Sequence, residues 1–107
     1  MATAKPSNSG PDAPAPPAPV VLRLYVAGDA PNSVRAIANV KAICGEHFAA
    51  GHELEIIDLL WHSRRAFADG VIVTPTLLKL SPLPVQRVVG DLSDTKQVLA
   101  ALQLVAT

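Results

Sequence analysis

The pattern of hydrophobic and polar positions divides the chain near residue 20. Before Val20, prolines alternate with alanine and small polar residues, and no large apolar side chain follows Met1. Such a segment buries too little surface to offset the entropy of ordering it. Residues 1–19 are therefore predicted to form a disordered Pro/Ala-rich tail that favours polyproline II structure. Residues 20–107 are predicted to form one domain.

The domain begins with a pattern typical of a strand followed by a helix. Residues 20–26 are almost continuously apolar, which favours a strand covered on both faces. After a break at Gly28, Pro31 suits a first helical turn, and apolar positions then recur at helical spacing over 31–48. The face predicted to be buried holds Val34, Ile37, Ala38, Cys44 and Phe48. Ile43 falls outside this face, so it is expected to pack in the core or to contact a partner.

The later elements complete an α/β pattern. Residues 53–60 read as a second strand, and the long helix before it predicts a right-handed βαβ unit with parallel strands. Residues 61–70 predict a short helix or an irregular turn, and two further strands follow at 76–80 and 85–89. Ser93 or Asp94 is expected to cap a last helix. Its predicted buried stripe contains Val98, Leu99, Leu102 and Val105. The order βαβαββα predicts a thioredoxin-like fold with a four-stranded mixed sheet.

Composition excludes several classes of function. The chain has nine basic and nine acidic residues and no formal net charge, whereas nucleic-acid-binding domains usually carry a basic patch. No apolar run approaches the roughly 20 residues that span a bilayer. The N-terminus lacks the charged-then-apolar order of a signal peptide. We therefore expect a cytoplasmic protein that binds neither nucleic acid nor a membrane.

The residues that carry chemistry do not form an active-site pattern. Thioredoxin-like oxidoreductases place a cysteine at the first turn of the first helix, where the helix dipole lowers its pKa. Here residues 29–32 contain no sulfur, and the single cysteine, Cys44, lies on the apolar arc. Cys44, His47, His52 and His62 match no compact metal-ligand spacing. No catalytic residue, cofactor or metal is expected, and Arg64-Arg65 is interpreted as a solvated turn.

The sequence suits a binding module better than an enzyme. The second strand is predicted to lie at a sheet edge, where unpaired backbone groups bind partners by strand addition or promote aggregation. Glu53, Glu55 and Asp58 are candidate guards against uncontrolled pairing. Trp61 and Phe67 either cap the core or contact a partner. The candidate partner-binding residues are Leu54, Ile56, Asp58, Trp61 and Phe67.

Several blocks resemble the family of the circadian clock protein KaiB. Leu24-Tyr25-Val26-Ala27-Gly28 and Pro31-Asn32-Ser33-Val34-Arg35-Ala36 are similar to the opening of that family. The later blocks are Ile57-Asp58, Thr74-Pro75-Thr76-Leu77, Pro82, Pro84-Val85 and Gly90-Asp91-Leu92-Ser93. They follow in the family's order from about Val20 to Leu104, so the chain resembles a divergent KaiB homologue.

The resemblance implies a non-enzymatic clock protein that binds the ATPase KaiC. KaiB-like proteins are metamorphic: a tetrameric ground-state fold exchanges with a rarer thioredoxin-like monomer. That monomer binds the N-terminal ATPase ring of KaiC and captures KaiA through its edge strand. The ground-state fold is therefore the alternative to the thioredoxin-like fold. A rarely populated binding state lowers the apparent affinity by its population. The switch and turn residues that this implies are Thr74, Pro75, Pro82, Pro84, Gly90, Asp91, Ala101 and Gln103. Thr74-Pro75 is either a rigid turn or a slow conformational gate.

The chain also departs from the family. Glu55 and Gly70 stand where members usually carry lysines, and Leu83 replaces the middle of three prolines. Ala101 and Gln103 replace a glycine and an aspartate, and alanine favours a helix over glycine by about 1 kcal/mol. Because the resemblance implies that this segment is helical only in the thioredoxin-like state, the changes at Ala101 and Gln103 should bias the chain towards that state.

The missing lysines leave the identity of the partner open. The alternative is a stand-alone signalling or stress adaptor that binds another protein, such as a sensor histidine kinase; the sensor domain of the clock kinase SasA is related to the family. Self-association as a dimer or tetramer also remains open.

Overall fold

The described part of the chain folds into seven elements around one sheet. In the computed structural model, which describes residues 19–49 and 51–103, they are β1 (Val20–Val26), α1 (Pro31–His47), β2 (His52–Asp58), α2 (Ser63–Ala68), β3 (Thr76–Ser81), β4 (Gln86–Val89) and α3 (Thr95–Ala101). The predicted order βαβαββα is confirmed. The predicted tail, apart from Pro19, lies outside the described residues, as do Leu104 and Val105.

The four strands form a mixed sheet in the order β2-β1-β3-β4. Strand β1 pairs parallel with β2 and antiparallel with β3, and β3 pairs antiparallel with β4. The prediction that the second strand lies at an edge is therefore confirmed. Strand β1 lies inside the sheet, and its apolar side chains Leu22, Leu24, Tyr25 and Val26 are buried on the two faces, as its continuous hydrophobic pattern predicts.

The larger core lies between the sheet and the helices α1 and α3. Its buried members are Leu22, Leu24, Val26, Ala36, Val40, Ile43, Cys44, Phe48, Leu77, Leu92, Val98, Leu99 and Leu102. The buried stripe predicted for the last helix is confirmed at the three described positions. Lys79 is also buried, with Leu22 and Gln86 as its partners on the neighbouring strands.

The opposite face of the sheet has a smaller core because, among the residues that the structure describes, only α2 covers it. Its four buried residues are Tyr25, Ile57, Ala66 and Leu78. Helix α2 has six residues, and only Ala66 among them is buried. One face of the sheet thus carries two helices, whereas the other leaves large apolar side chains in solvent.

Helix α1 is rotated relative to the predicted phase. Val34 is 52% exposed and Ala38 is exposed, so their predicted burial is wrong, whereas Ile43 is only 3% exposed. The buried hydroxyl of Ser33 accepts a hydrogen bond from the Ala27 backbone N–H at 3.0 Å. Because Ser33 faces the sheet at the first turn, the positions spaced three and four residues after it face the core.

The helix phase gives a prediction for stability. Ile43→Ala should lower the free energy of unfolding by about 2–5 kcal/mol because it leaves a cavity in the core. Val34→Ala removes an exposed side chain and should change it by less than about 0.5 kcal/mol. Urea denaturation followed by circular dichroism measures both. Equal losses for the two variants would contradict the observed rotation of α1.

Candidate partner-binding site

Strand β2 offers an open row of backbone groups. The Leu59 N–H donates to the Val26 carbonyl at 2.9 Å, and the Gly51 carbonyl accepts from the Val20 N–H at 3.3 Å. In a parallel ladder the N–H and C=O of one residue point to the same side. Odd-numbered residues of β2 therefore face β1. The backbone groups of Leu54 and Ile56 point away from the sheet and are available to another strand.

The apolar side chains of β2 are accessible at this edge. Leu54 is half-buried and packs against the larger core, whereas Ile56 is 36% exposed. Both side chains lie on the face of the sheet that α1 covers, because residues alternate along a strand. Their contact with a partner remains a prediction.

Asp58 joins the end of β2 to the loop after β1. Its Oδ1 accepts hydrogen bonds from the Gly28 N–H at 3.1 Å and from the Leu60 N–H at 2.9 Å. Gly28 has φ +56°, and a Cβ there would lie 3.1 Å from Leu60 Cδ1. The carboxylate therefore orders the turn that presents Leu60 and Trp61. Its contact with a partner also remains a prediction.

Trp61 and Phe67 lie on the surface. They are 81% and 86% exposed, so the interpretation that they cap the core is wrong. Helix α2 turns Ala66 toward the sheet, which directs Phe67 outward. Leu60, Ile72 and Val73 are also exposed. Residues 60–73 thus present five large apolar side chains to solvent, and exposed apolar residues of this kind make the segment a candidate interaction site.

A polar cluster on β1 holds the end of α2. Asp69 Oδ2 accepts hydrogen bonds from Arg23 Nη1 at 2.8 Å and from the Tyr25 hydroxyl at 2.5 Å. The same hydroxyl lies 3.0 Å from the Arg65 carbonyl oxygen. Arg87 donates to the carbonyls of Asp69 and Gly70, both at 3.0 Å. These bonds fix the C-terminal end of α2 against β1 and β4.

Glu55 belongs to the same cluster. Arg65 donates two hydrogen bonds to the Glu55 carboxylate at 2.6 and 2.7 Å, and Arg23 Nε lies 3.4 Å from it. Arg65 therefore lies in helix α2 rather than in a turn, and its partly exposed side chain pairs with Glu55. Glu55, where the resemblance implies a lysine, thus joins β2 to α2 through its pair with Arg65.

The cluster shifts the pKa values of its members. Burial acts to raise the pKa of Asp69, but the hydrogen bonds from Tyr25 and Arg23 outweigh it, and the pKa lies below its ordinary value. Burial, followed by the bond to Asp69, raises the pKa of Tyr25. The hydrogen bonds from Arg65 lower the pKa of Glu55. Both carboxylates are therefore ionised at neutral pH.

A second polar contact joins α1 to the loop before α3. Arg35 Nε lies 3.3 Å from Asp91 Oδ2, and Asn39 Nδ2 donates to the Asp91 carbonyl at 2.7 Å. Asp91 Oδ1 accepts from the Ser93 N–H at 3.1 Å. Asp94 then caps α3 by accepting from the Gln97 N–H at 3.1 Å, as predicted. Asp91 thus holds the C-terminal part of the chain against α1.

The other candidate switch residues lie in turns and at the end of α3. The Thr74-Pro75, Ser81-Pro82 and Leu83-Pro84 peptide bonds are cis. Pro75 is buried next to β3, whereas Pro82 and Pro84 are exposed. Gly90 has φ +129°, Ala101 is the last residue of α3, and Gln103 has φ +56°. Their role in a conformational switch remains a prediction.

The described residues give no geometry for thiol or metal chemistry. Cys44 is 1% exposed, and burial raises the pKa of its thiol. No group of three or more histidine, cysteine, aspartate or glutamate side chains that could hold a metal ion occurs within 19–49 and 51–103. Over the same residues, no helix has the length and apolar character needed to cross a membrane.

Solved structures define the class of the protein. The N-terminal domain of Synechococcus elongatus SasA is similar to this chain with a TM-score of 0.67 and 28% identity, over 92% of this chain and 94% of that one. The Drosophila melanogaster thioredoxin Deadhead shares the fold alone, with a TM-score of 0.66 and 15% identity over 81% and 82%. No cysteine stands at the first turn of α1. The chain is thus a thioredoxin-like protein without the thiol site.

Sequence similarity identifies the family. The KaiB domain profile matches residues 23–104. Circadian clock oscillator protein KaiB of Synechococcus elongatus is 48% identical over 84 residues, which cover 78% of this chain and 82% of that relative. Circadian clock protein KaiB3 of Synechocystis is 45% identical over 86 residues, covering 80% and 84%. This chain belongs to the KaiB family.

The sequence analysis did not predict the cluster around Asp69. One feature of the sequence pointed to a buried polar contact: Arg23 interrupts a strand that is otherwise apolar and predicted to be covered on both faces. A charged residue in such a strand requires a partner. The partner itself, 46 residues away, could not be identified from the pattern.

The cluster gives a prediction for pH dependence. Because the folded-state pKa of Asp69 lies below its ordinary value of 3.8, its stabilising contribution is present above the unfolded pKa. It is lost as the pH falls through the folded pKa. Asp69→Asn should lower the free energy of unfolding by about 1–3 kcal/mol at pH 7. The difference from the wild type should shrink as the pH falls below about 4.

Urea denaturation at several pH values measures this difference. Glu46→Gln, at an exposed position of α1, is the matched control and should differ little from the wild type at any pH. A difference between Asp69→Asn and the wild type that stays constant from pH 7 into the acid range would contradict the role of the carboxylate.

Proposed function

We propose that this chain is a non-enzymatic regulatory protein that binds a KaiC-type ATPase in the cytoplasm. The observation that carries the proposal is the exposure of Trp61 and Phe67 beside the open edge of β2 in a member of the KaiB family. Relatives that cover most of the chain are named circadian clock proteins. The binding surface that we propose comprises Leu54, Ile56, Asp58, Trp61 and Phe67.

The shape of this surface supports protein binding. Aromatic side chains are enriched among the residues that dominate binding energy at interfaces. Here two aromatic residues lie on a loop and a helix that Asp58 and Asp69 hold in place by hydrogen bonds. A surface that is ordered before binding loses less conformational entropy when the complex forms. The edge of β2 adds backbone donors and acceptors for a strand of a KaiA-like protein.

A second candidate partner is a sensor histidine kinase or another signalling protein. It is favoured by Glu55, which pairs with Arg65 at a position where the resemblance implies a lysine. Gly70 occupies the other such position and has φ +70°, a conformation that side-chain-bearing residues rarely adopt. A partner that needs those two lysines would bind this chain weakly, so a different partner remains a candidate.

Binding to the ATPase gives the direct test. The chain and the KaiC-type ATPase of the same organism are mixed with ATP, and the dissociation constant is measured by biolayer interferometry after prolonged incubation. Trp61→Ala and Phe67→Ala should each weaken binding at least about tenfold, because truncating a central aromatic side chain commonly costs about 2 kcal/mol or more.

Leu83→Ala is the matched control. Leu83 is 78% exposed but lies in the β3–β4 turn, away from the proposed surface. It should change the dissociation constant by less than about threefold. Absence of a complex between the wild type and the ATPase would contradict the proposal. If the wild type instead binds a sensor kinase from the same organism in the same measurement, the second candidate partner takes the place of the ATPase.

We further propose that Ala101 favours the thioredoxin-like state over the ground-state fold that the family resemblance implies. Ala101 ends α3, and glycine there costs the helix about 1 kcal/mol. Ala101→Gly should therefore raise the population of a second set of backbone NMR signals over 95–103 by roughly fivefold.

Ala42→Gly, at an exposed position in α1, is the control for the NMR experiment. It should lower stability without producing new signals at 95–103. A single set of signals in Ala101→Gly, or the same second set in both glycine variants, would contradict the role of Ala101.

A further inference from the structure

A cavity of about 330 Å³ opens on the sheet face that α2 covers. Helix α2 extends along this face as far as Arg23, where Asp69, at the end of the helix, accepts a hydrogen bond from the guanidinium. The cavity lies beyond that point, toward the start of β1 and β2. The side chains that line it are Val21, Arg23, Glu53, Glu55 and Leu80.

A bulge in β3 lies at this cavity. Leu22 is opposite Lys79 and Val21 is opposite Ser81. Strand β3 therefore has one extra residue, Leu80, between these two pairs. An extra residue bends its strand and increases the local twist. Val21 and Leu80 are both half-buried, so they give the cavity an apolar floor.

Three charged side chains line the cavity, and two of them pair with each other. Arg23 Nε is closed to solvent and lies 3.4 Å from the Glu55 carboxylate. The same carboxylate accepts two hydrogen bonds from Arg65. Glu53 is exposed, and no ion pair to it occurs among the described residues. The cavity thus combines an apolar floor with one carboxylate that has no paired cation in the described part of the chain.

This combination suits a lysine or arginine side chain. Both carry a long aliphatic stem that packs along apolar surface and a charged end that stays accessible. The stem would lie on Val21 and Leu80, and the charge would lie at the Glu53 carboxylate. We propose that the cavity is a specificity pocket for a basic side chain of a partner strand, a proposal that rests on the proposed addition of such a strand to the β2 edge.

The free backbone of β2 places such a side chain beside Glu53. Leu54 and Ile56 point their N–H and C=O groups away from β1, whereas the Asp58 carbonyl is already bonded within the chain. An added strand therefore pairs along Leu54 and Ile56, about 4.8 Å from β2. Its side chains alternate between the two faces of the sheet. Every second one lies on the α2 face, within reach of Glu53.

The partner strand should therefore alternate apolar and basic residues. On the α1 face, Leu54 is half-buried and Ile56 is exposed, so apolar side chains of the partner would cover them. On the α2 face, an opposite charge directly across from Glu53 stabilises strand pairing, whereas a like charge destabilises it. The guard that the sequence predicts at Glu53 would thus exclude acidic strands and admit basic ones.

Two synthetic peptides test the pocket in the absence of the ATPase. One alternates valine and lysine over about six residues, the usual length of a strand, and the other carries glutamate in place of lysine. In an NMR titration of the full chain, bound peptide should shift the amide signals of Leu54 and Ile56. The lysine peptide should bind at least about threefold more tightly than the glutamate peptide, because opposite charges stabilise a cross-strand pair and like charges destabilise it.

Exchanging the charge at Glu53 should reverse this preference. Glu53→Lys should bind the glutamate peptide more tightly than the lysine peptide, and Glu53→Gln should bind the two peptides within about twofold of each other. Glu46→Lys is the matched control. It makes the same charge change at an exposed position of α1, so it should keep the preference of the wild type.

Equal affinity of the wild type for the two peptides would overturn the proposal, as would a preference that Glu53→Lys leaves unchanged. Failure of both peptides to bind would overturn it too. These outcomes are independent of the ATPase. A chain that selects the lysine peptide but does not bind the ATPase would retain the pocket and contradict the proposed partner. A chain that binds the ATPase but neither peptide would contradict the pocket alone.

Discussion

The structure depends on the pairing of Arg23 and Tyr25 with Asp69. Both side chains project from the interior strand β1 toward the face that α2 covers, and both donate to the same carboxylate oxygen. A buried polar group without a partner costs more free energy than an average hydrogen bond contributes. Helix α2 has six residues and one buried side chain, so apolar burial alone holds it weakly. Asp69 therefore fixes the position of α2.

The position of α2 determines the surface that the protein presents. Within 19–49 and 51–103, two helices cover the larger core, whereas α2 alone covers the smaller core. The consequence is that Trp61 and Phe67 remain in solvent beside an edge strand. Glu55 contributes to the same arrangement, because Arg65 connects β2 to α2. Glu55, which stands where the resemblance implies a lysine, is thus part of what supports the exposed surface.

The order of elements and the edge position of β2 followed from hydrophobic periodicity and from the handedness of βαβ units. Hydrophobic periodicity did not predict which face of α1 is buried. The Ser33 hydroxyl faces the sheet because it accepts a hydrogen bond from the Ala27 N–H, and a hydrophobicity pattern does not detect such a contact. The sequence left open whether Trp61 and Phe67 cap the core or contact a partner, since large apolar residues are usually buried. Asp69 and its partners are distant in sequence, so their contact depends on the tertiary fold rather than on any local pattern.

The central claim is that the residues from β2 through α2 form the surface that binds a KaiC-type ATPase. Hydrogen–deuterium exchange of this chain, with and without the ATPase and ATP, tests it most directly. The account predicts slower exchange in the complex over 54–73, including the outward amides of Leu54 and Ile56. Unchanged exchange over 54–73, together with slower exchange on the outer face of α1 or α3, would contradict it.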